Sequence, residues 1–272
     1  SHQFINTGFP PNWHKDPVSS VELDSTRHWS EYSDDINADI KFIWEPNRFA
    51  FVYSLVRAYA ATLDEKYPEA FWTLIEDWTK HNPPNTGPNW MDGQEISLRL
   101  MAWIFGYHAF LNSPSSTPER LDQFKLYIAA QAERIYRNRS FAVSSHNNHC
   151  ITEAVALWMA GLLFPELKNA EKYRSFGHAS LESEAREQLF PDGTYSMYSL
   201  NYHRFVLQIY LYAIRLGEIY KLPFTNQLIT SVTSSLEYLA QLIDPQTGQM
   251  PVYGSNDGAL VLPLNNCDFT DY

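Results

Sequence analysis

The sequence predicts an all-α protein, an incomplete α/α toroid of antiparallel helix hairpins with a short loop- and strand-like C-terminal tail, and three observations carry that prediction. From Asn47 onward apolar residues recur three and four apart, as in Phe49, Val52, Leu55, Val56 and Tyr59, which is the helical period. Breakers cut the chain at Asn82-Pro83-Pro84, Ser113-Pro114, Phe164-Pro165, Pro191-Asp192-Gly193 and Leu222-Pro223. Polar clusters open every second helix at a spacing of roughly 45 to 55 residues, the mark of stacked hairpins that bury a face against their neighbours.

Residues 1–40 are Pro-rich and polar without sustained periodicity, so an extended lead-in is expected there, with room for one short helix. The toroid domain is assigned to 41–244. Its helices are predicted at 48–63, 66–81, 93–112, 118–138, 147–163, 168–189, 199–219 and 226–243. Those beginning near 66, 118, 168 and 226 are charged and amphipathic, as in Glu119-Arg120 through Arg134. Those beginning near 48, 93, 147 and 199 carry the polar clusters and are placed inside the arc. After Asp244 the texture changes to Pro245, Gly248, Pro251, Gly254 and Gly258, with the apolar piece Ala259-Leu260-Val261-Leu262. A loop-rich tail over 245–272 is expected, entering a further domain that the chain does not contain.

Bulk properties narrow the function. A net charge of −11 over 272 residues argues against nucleic acid, which needs a basic face to release counterions. No segment approaches the roughly 18 apolar residues of a membrane span. The first residues carry no export-signal pattern, and Ser1-His2-Gln3 reads as a processed or trimmed start that leaves room for a removed signal; a periplasmic or secreted location is expected, with its signal not visible in this chain. Cys150 and Cys267 lie far apart and read as ordinary thiols. Eight Trp and seventeen Tyr offer faces that stack on sugar rings or fill a helical core.

The clusters are Trp44-Glu45-Pro46-Asn47-Arg48, then Asn89-Trp90-Met91-Asp92-Gly93-Gln94-Glu95 with Arg99, then His146-Asn147-Asn148-His149, then Asn201-Tyr202-His203-Arg204. If alternate helices are parallel, these meet on one rim suited to sugar binding and proton transfer. Each residue also has a structural reading. Asp92 with Glu95 makes a capping box, and Glu95 with Arg99 an i,i+4 ion pair. Asn147 fits a helix cap better than a catalyst. Trp44 and Trp90 can be core, although Trp90 beside Gly87-Pro88-Asn89 is placed to stack on a sugar. His203 points about 100° around the helix from Tyr202, where packing is as reasonable as catalysis. His146, His149 and Glu153 are spaced to face a metal but lack a clear further ligand, so none is expected.

Glu45-Pro46-Asn47-Arg48, Asn89-Trp90 with Glu95 and Arg99, Asn147-Asn148-His149, and Asp192-Gly193 leading to Ser199 and Tyr202-His203-Arg204 resemble the heparinase II/III and alginate-lyase superfamily of polysaccharide lyases. The resemblance runs from about Lys41 to Asp257. It implies a toroid followed in full-length members by a β-sandwich that completes the cleft, with β-elimination of a uronic-acid-containing polysaccharide as the reaction. Met197 stands where many members carry an acidic residue.

Elimination requires loss of the C5 proton of a uronate, which its carboxylate resists, so fixed donors must neutralise that carboxylate. Asn148 and His149 suit the task at a helix N-terminus that itself favours an anion, and the resemblance points to the same pair. The resemblance makes Tyr202 the proton shuttle, a role that a Tyr at a helix start would not otherwise suggest. Arg204 and His149 are the nearby charges to favour its phenolate. Asn89, Trp90, Gln94, Glu95, Arg99, His146, Asn147, His203 and Arg204 are the expected substrate contacts. No organic cofactor is implied. A glycoside hydrolase drawing on Glu45, Glu95, Glu153 and Asp257, and a noncatalytic module for acidic polysaccharide, are the competing readings.

Overall fold

The computed structural model describes residues 6–32, 39–255 and 260–263, and over these the chain is all-α, with no strand among the described residues. In order the helices are α1 (Ile40–Asn47), α2 (Phe51–Thr62), α3 (Lys66–His81), α4 (Gly93–Phe110), α5 (Pro118–Ser145), α6 (Asn148–Leu163), α7 (Ala170–Gln188), α8 (Leu200–Ile219) and α9 (Asn226–Gln241). All but α1 answer to a predicted segment. Pro46 lies inside the last turn of α1, and the break to α2 comes at Phe49 with φ 58°. The seven extra residues of α5 beyond 138 follow from the lack of any breaker before His146. The short helix allowed for in the lead-in is a 3-10 turn at Trp29–Glu31. Asp257 lies outside the described residues, as does Ala259 of the tail's apolar piece.

Contacts divide the chain into two compact units, Ser1–Ile135 and Tyr136–Tyr272. In the first, α2 packs on α3 and α4. Every residue of α4 from Gln94 to Ile104 is buried, which matches a helix apolar nearly all round. Its core is aromatic: Trp78 meets Trp103 edge-on at 5.1 Å and Trp90 at 6.0 Å, and Trp13 stacks on Phe49 at 5.2 Å. In the second unit α6 pairs with α7 and α8 with α9, while α6 packs on α8 and α7 on α9. Like α4, α6 is buried almost throughout, from Cys150 to Leu162. The predicted alternation of buried and amphipathic helices therefore holds for α4 and α6 against α3 and α7.

Within each unit, hydrogen bonds show that the cluster-bearing helices start at the same end. In the first, the C-terminal part of α3 reaches both starts: Trp78 Nε1 donates to Asn47 Oδ1 at 2.7 Å, and Asn82 Oδ1 accepts from Asn89 Nδ2 at 2.9 Å. In the second, Gln188 at the end of α7 donates to the Asn147 carbonyl before α6 at 3.1 Å and accepts from Ser196 Oγ before α8 at 3.4 Å. A helix that packs along another and ends where that one begins runs antiparallel to it, as α3 does to α2 and α7 to α6.

Candidate functional site

In the first unit the polar cluster is largely a frame. Asn47 and Asn89 both donate to the Trp13 carbonyl at 2.9 Å. Arg99 is fully enclosed, its Nε on Gln131 Oε1 at 2.9 Å, its Nη2 on the Asn89 carbonyl at 3.0 Å, and its guanidinium 4.4 Å over the Trp78 ring. Arg134 takes the next two carbonyls, Trp90 at 3.0 Å and Met91 at 2.7 Å. Two arginines thus satisfy the backbone of the loop that enters α4. Asn89, Trp90 and Arg99 were expected to touch substrate and instead lie in the interior, Trp90 with none of its surface exposed. Gln94 is buried as well.

The ion pair of this cluster is also not the expected one. Asp92 Oδ1 accepts the Glu95 amide at 3.0 Å, which is the first half of a capping box. The Glu95 carboxylate turns to Arg48, 47 residues earlier, which grips it by Nε at 2.6 Å and Nη2 at 2.7 Å. Burial works to lower the Arg48 pKa, but the Glu95 and Glu45 carboxylates outweigh it and raise it. The fork is fixed, largely dry and bidentate, so a lone partner would be a poorly solvated charge. Glu95→Gln is expected to cost about 3 kcal/mol in denaturant unfolding, and Arg48→Met in the same chain to recover part of that loss.

The second unit gathers the residues singled out for chemistry. His146 holds φ 43° and is exposed. Asn147 caps α6 as its structural reading required, its Oδ1 accepting the His149 amide at 2.9 Å. Asn148 lies deeper, 2% exposed, and His149 is half-buried. On α8, Ser199 caps the helix by accepting the Tyr202 amide at 3.2 Å and donates to the Ser255 carbonyl at 2.6 Å, while Leu200 N–H bonds the Tyr253 carbonyl at 3.0 Å. The tail near 253–255 is thereby tied to the start of α8. Tyr202 is half-buried with its ring edge-on to Phe205, and Arg204 Nη2 donates to Asn201 Oδ1 at 3.1 Å.

His203 faces inward, 2% exposed, between the rings of Tyr195 at 5.9 Å and Tyr238 at 5.8 Å. This corrects its assignment as a substrate contact in favour of the packing reading. Burial pushes its pKa down from 6.5 to about 4. The unfolded chain therefore takes up this proton first as pH falls, so stability is full above about 6.5 and is lost progressively toward about 4. The loss approaches about 3 kcal/mol at the acid end. Comparing denaturant midpoints at pH 7 and in mild acid, His203→Phe is expected to lose less stability than the wild type.

Sequence reasoning missed Gln188, Glu184 and Tyr195. Glu184 is buried and accepts from Gln188 Nε2 at 2.6 Å, and the Tyr195 phenol is raised first by burial and then by the charges of Glu184 and Tyr202. These residues belong to an amphipathic helix and a turn with no polar cluster, so nothing in their local spacing marks them.

An all-helical chain of hairpins, with buried helices that open in Asn, His and Tyr, is the class these features define. A family model described as the heparinase II/III N-terminus matches residues 2–261, and the chain belongs to the heparinase II/III family. It is 32% identical over 228 residues to a heparin-sulfate lyase of Bacteroides thetaiotaomicron, covering 82% of this chain and 31% of that protein. To a heparin-sulfate lyase of Bacteroides stercoris it is 26% identical over 229 residues, covering 76% of this chain and 34% of that protein. The chain thus spans about a third of the length of these curated relatives. A crystal structure of heparinase III matches with TM-score 0.67 at 26% identity, over 89% of this chain and 38% of that one. A heparan sulfate lyase from Pedobacter heparinus matches in fold with TM-score 0.61 at 24% identity, over 86% of this chain and 37% of that one. Among the described residues, no helix is long and apolar enough to cross a membrane.

Proposed function

We propose that this chain is the N-terminal helical part of a polysaccharide lyase that cleaves a uronic-acid-containing polysaccharide by β-elimination. The observation that carries the reading is the shared opening end of α6 and α8, where Gln188 joins the Asn147 cap to Ser196 and the Asn148-His149 and Tyr202 motifs start within one unit. Asn148 and His149, at a helix N-terminus, neutralise the uronate carboxylate and so make the C5 proton easier to remove. Tyr202, as phenolate, takes the C5 proton, the C5–H electrons form the C4=C5 double bond, the C4–O bond breaks, and Tyr202 returns the proton to the departing glycosidic oxygen. His149 and Tyr202, both partly exposed, meet the sugar first, and the more deeply set Asn148 forms the floor. Asn147, Arg204 and His146 border this end. Gln94 and Glu95 act on the frame of the first unit.

The expected partner is an acidic, uronate-containing polymer, with a β-sandwich domain completing the cleft and a periplasmic or secreted location. The relatives named for heparin sulfate put heparan-type chains first among candidates. The test incubates the longest available form of the protein with heparan sulfate, heparin, alginate and a bacterial exopolysaccharide, following ultraviolet absorbance of the unsaturated uronate. Growth of that absorbance with one polymer class supports the reading. Binding without turnover on any of them replaces it with a noncatalytic module, and reducing ends without the chromophore replace it with a hydrolase.

A further inference from the structure

We propose that His146, Glu184 and Glu187 form a site for one divalent transition-metal ion, of which zinc is the natural probe. His146 Nδ1 lies 3.3 Å from Glu187 Oε2 and 4.0 Å from Glu184 Oε2, and the three donor atoms all fall within 4.8 Å of one another. Donors about 2.1 Å from a tetrahedral zinc stand roughly 3.4 Å apart, so the His146–Glu187 pair is already at ligand spacing and Glu184 needs only a small approach. One imidazole and two carboxylates form a donor set that zinc accepts, with a position left for water.

Charge supplies a second, independent argument. Glu184 is 4% exposed, and its partners are the Gln188 amide at 2.6 Å, the Cys150 thiol and the imidazole of His146; no Lys or Arg pairs with it among the described residues. A buried carboxylate without a full positive neighbour is costly. Negative charge also crowds the spot, since the Glu184 and Glu187 carboxylates both face the one imidazole of His146. A dication resolves this crowding. Glu187 keeps its other oxygen on Ser183 Oγ at 3.2 Å, leaving Oε2 turned to His146. His146 pays for its position with φ 43°, a conformation unusual for a side chain with a Cβ, and it is this backbone that brings the ring to the α7 carboxylates.

The ion would join the end of α7 to the residue just before the Asn147 cap of α6, and its role is structural. It stands apart from the elimination chemistry and from whether that chemistry occurs. The experiment uses the chain after exhaustive chelation, dialysed against zinc and freed of excess, with metal counted by mass spectrometry and thermal midpoints recorded. Cobalt(II) in place of zinc gives a visible d–d spectrum as a signature of the ligand set. The expected result is close to one ion per chain and a raised midpoint, both lost in His146→Ala and in Glu187→Gln. Because Glu187 is half-exposed, Glu187→Gln keeps the fold, and its apo midpoint near the wild-type value confirms that. No stoichiometric uptake, or uptake unchanged in both variants, overturns the site and leaves a histidine–carboxylate ion pair in its place.

Discussion

Tyr202→Phe is expected to lower turnover on the preferred polysaccharide by about 10²- to 10⁴-fold, the usual contribution of a positioned acid–base group. Folding should be untouched. The ring contact with Phe205 needs no hydroxyl, and the α8 cap is made through the residue 202 amide and Ser199 Oγ. Loss of rate with an unchanged thermal midpoint therefore isolates the phenolic oxygen. Asn148→Ala probes the other half of the reaction, the stabilised carboxylate, and should cost about 10²- to 10³-fold. Equal turnover by Tyr202→Phe and the wild type, measured as unsaturated uronate per unit time, would remove Tyr202 from the mechanism.

The largest stability effect is expected at Gly177. A methyl group there would lie 2.4 Å from the Ala154 carbonyl oxygen and 2.6 Å from the Trp158 nitrogen, both in the backbone of α6. Gly161 makes the reciprocal approach from α6, with the Ala170 carbonyl oxygen 2.2 Å from its would-be Cβ. No rotamer change relieves a clash with backbone, so α6 and α7 must separate along the hairpin. Gly177→Ala is thus expected to cost about 3 kcal/mol or more, at the upper end for overpacking, despite the better helix propensity of Ala. Denaturant unfolding reads this directly. Because α6 carries Asn148 and His149, surviving folded protein should also lose activity.

These two positions show how unevenly the sequence discloses the molecule. Helical period and breakers placed α3 at its observed bounds and α9 within two residues, because a run of amphipathic turns between prolines has few other solutions. The helix α1 was missed because eight residues are too few to establish the helical period. For the site, polar residues at helix starts were visible, but spacing alone does not separate a residue that faces substrate from one that holds the loop. Asn89 and Arg99 proved to be interior props. Glu95 found its partner 47 residues away, where no i,i+4 rule looks. Glu184 and Gln188 pass for ordinary members of an amphipathic helix, and only folding puts them beside the Asn147 cap.

The common start of α6 and α8 has a kinetic consequence. Helix N-termini offer partial positive charge over a single turn, whereas the −11 net charge of the chain acts over the whole surface. A polyanion approaching this end is repelled at long range and attracted only on arrival. Modest ionic strength, which shortens the Debye length to about 10 Å at 0.1 M, should then speed capture of the polymer, and only stronger brine should slow it.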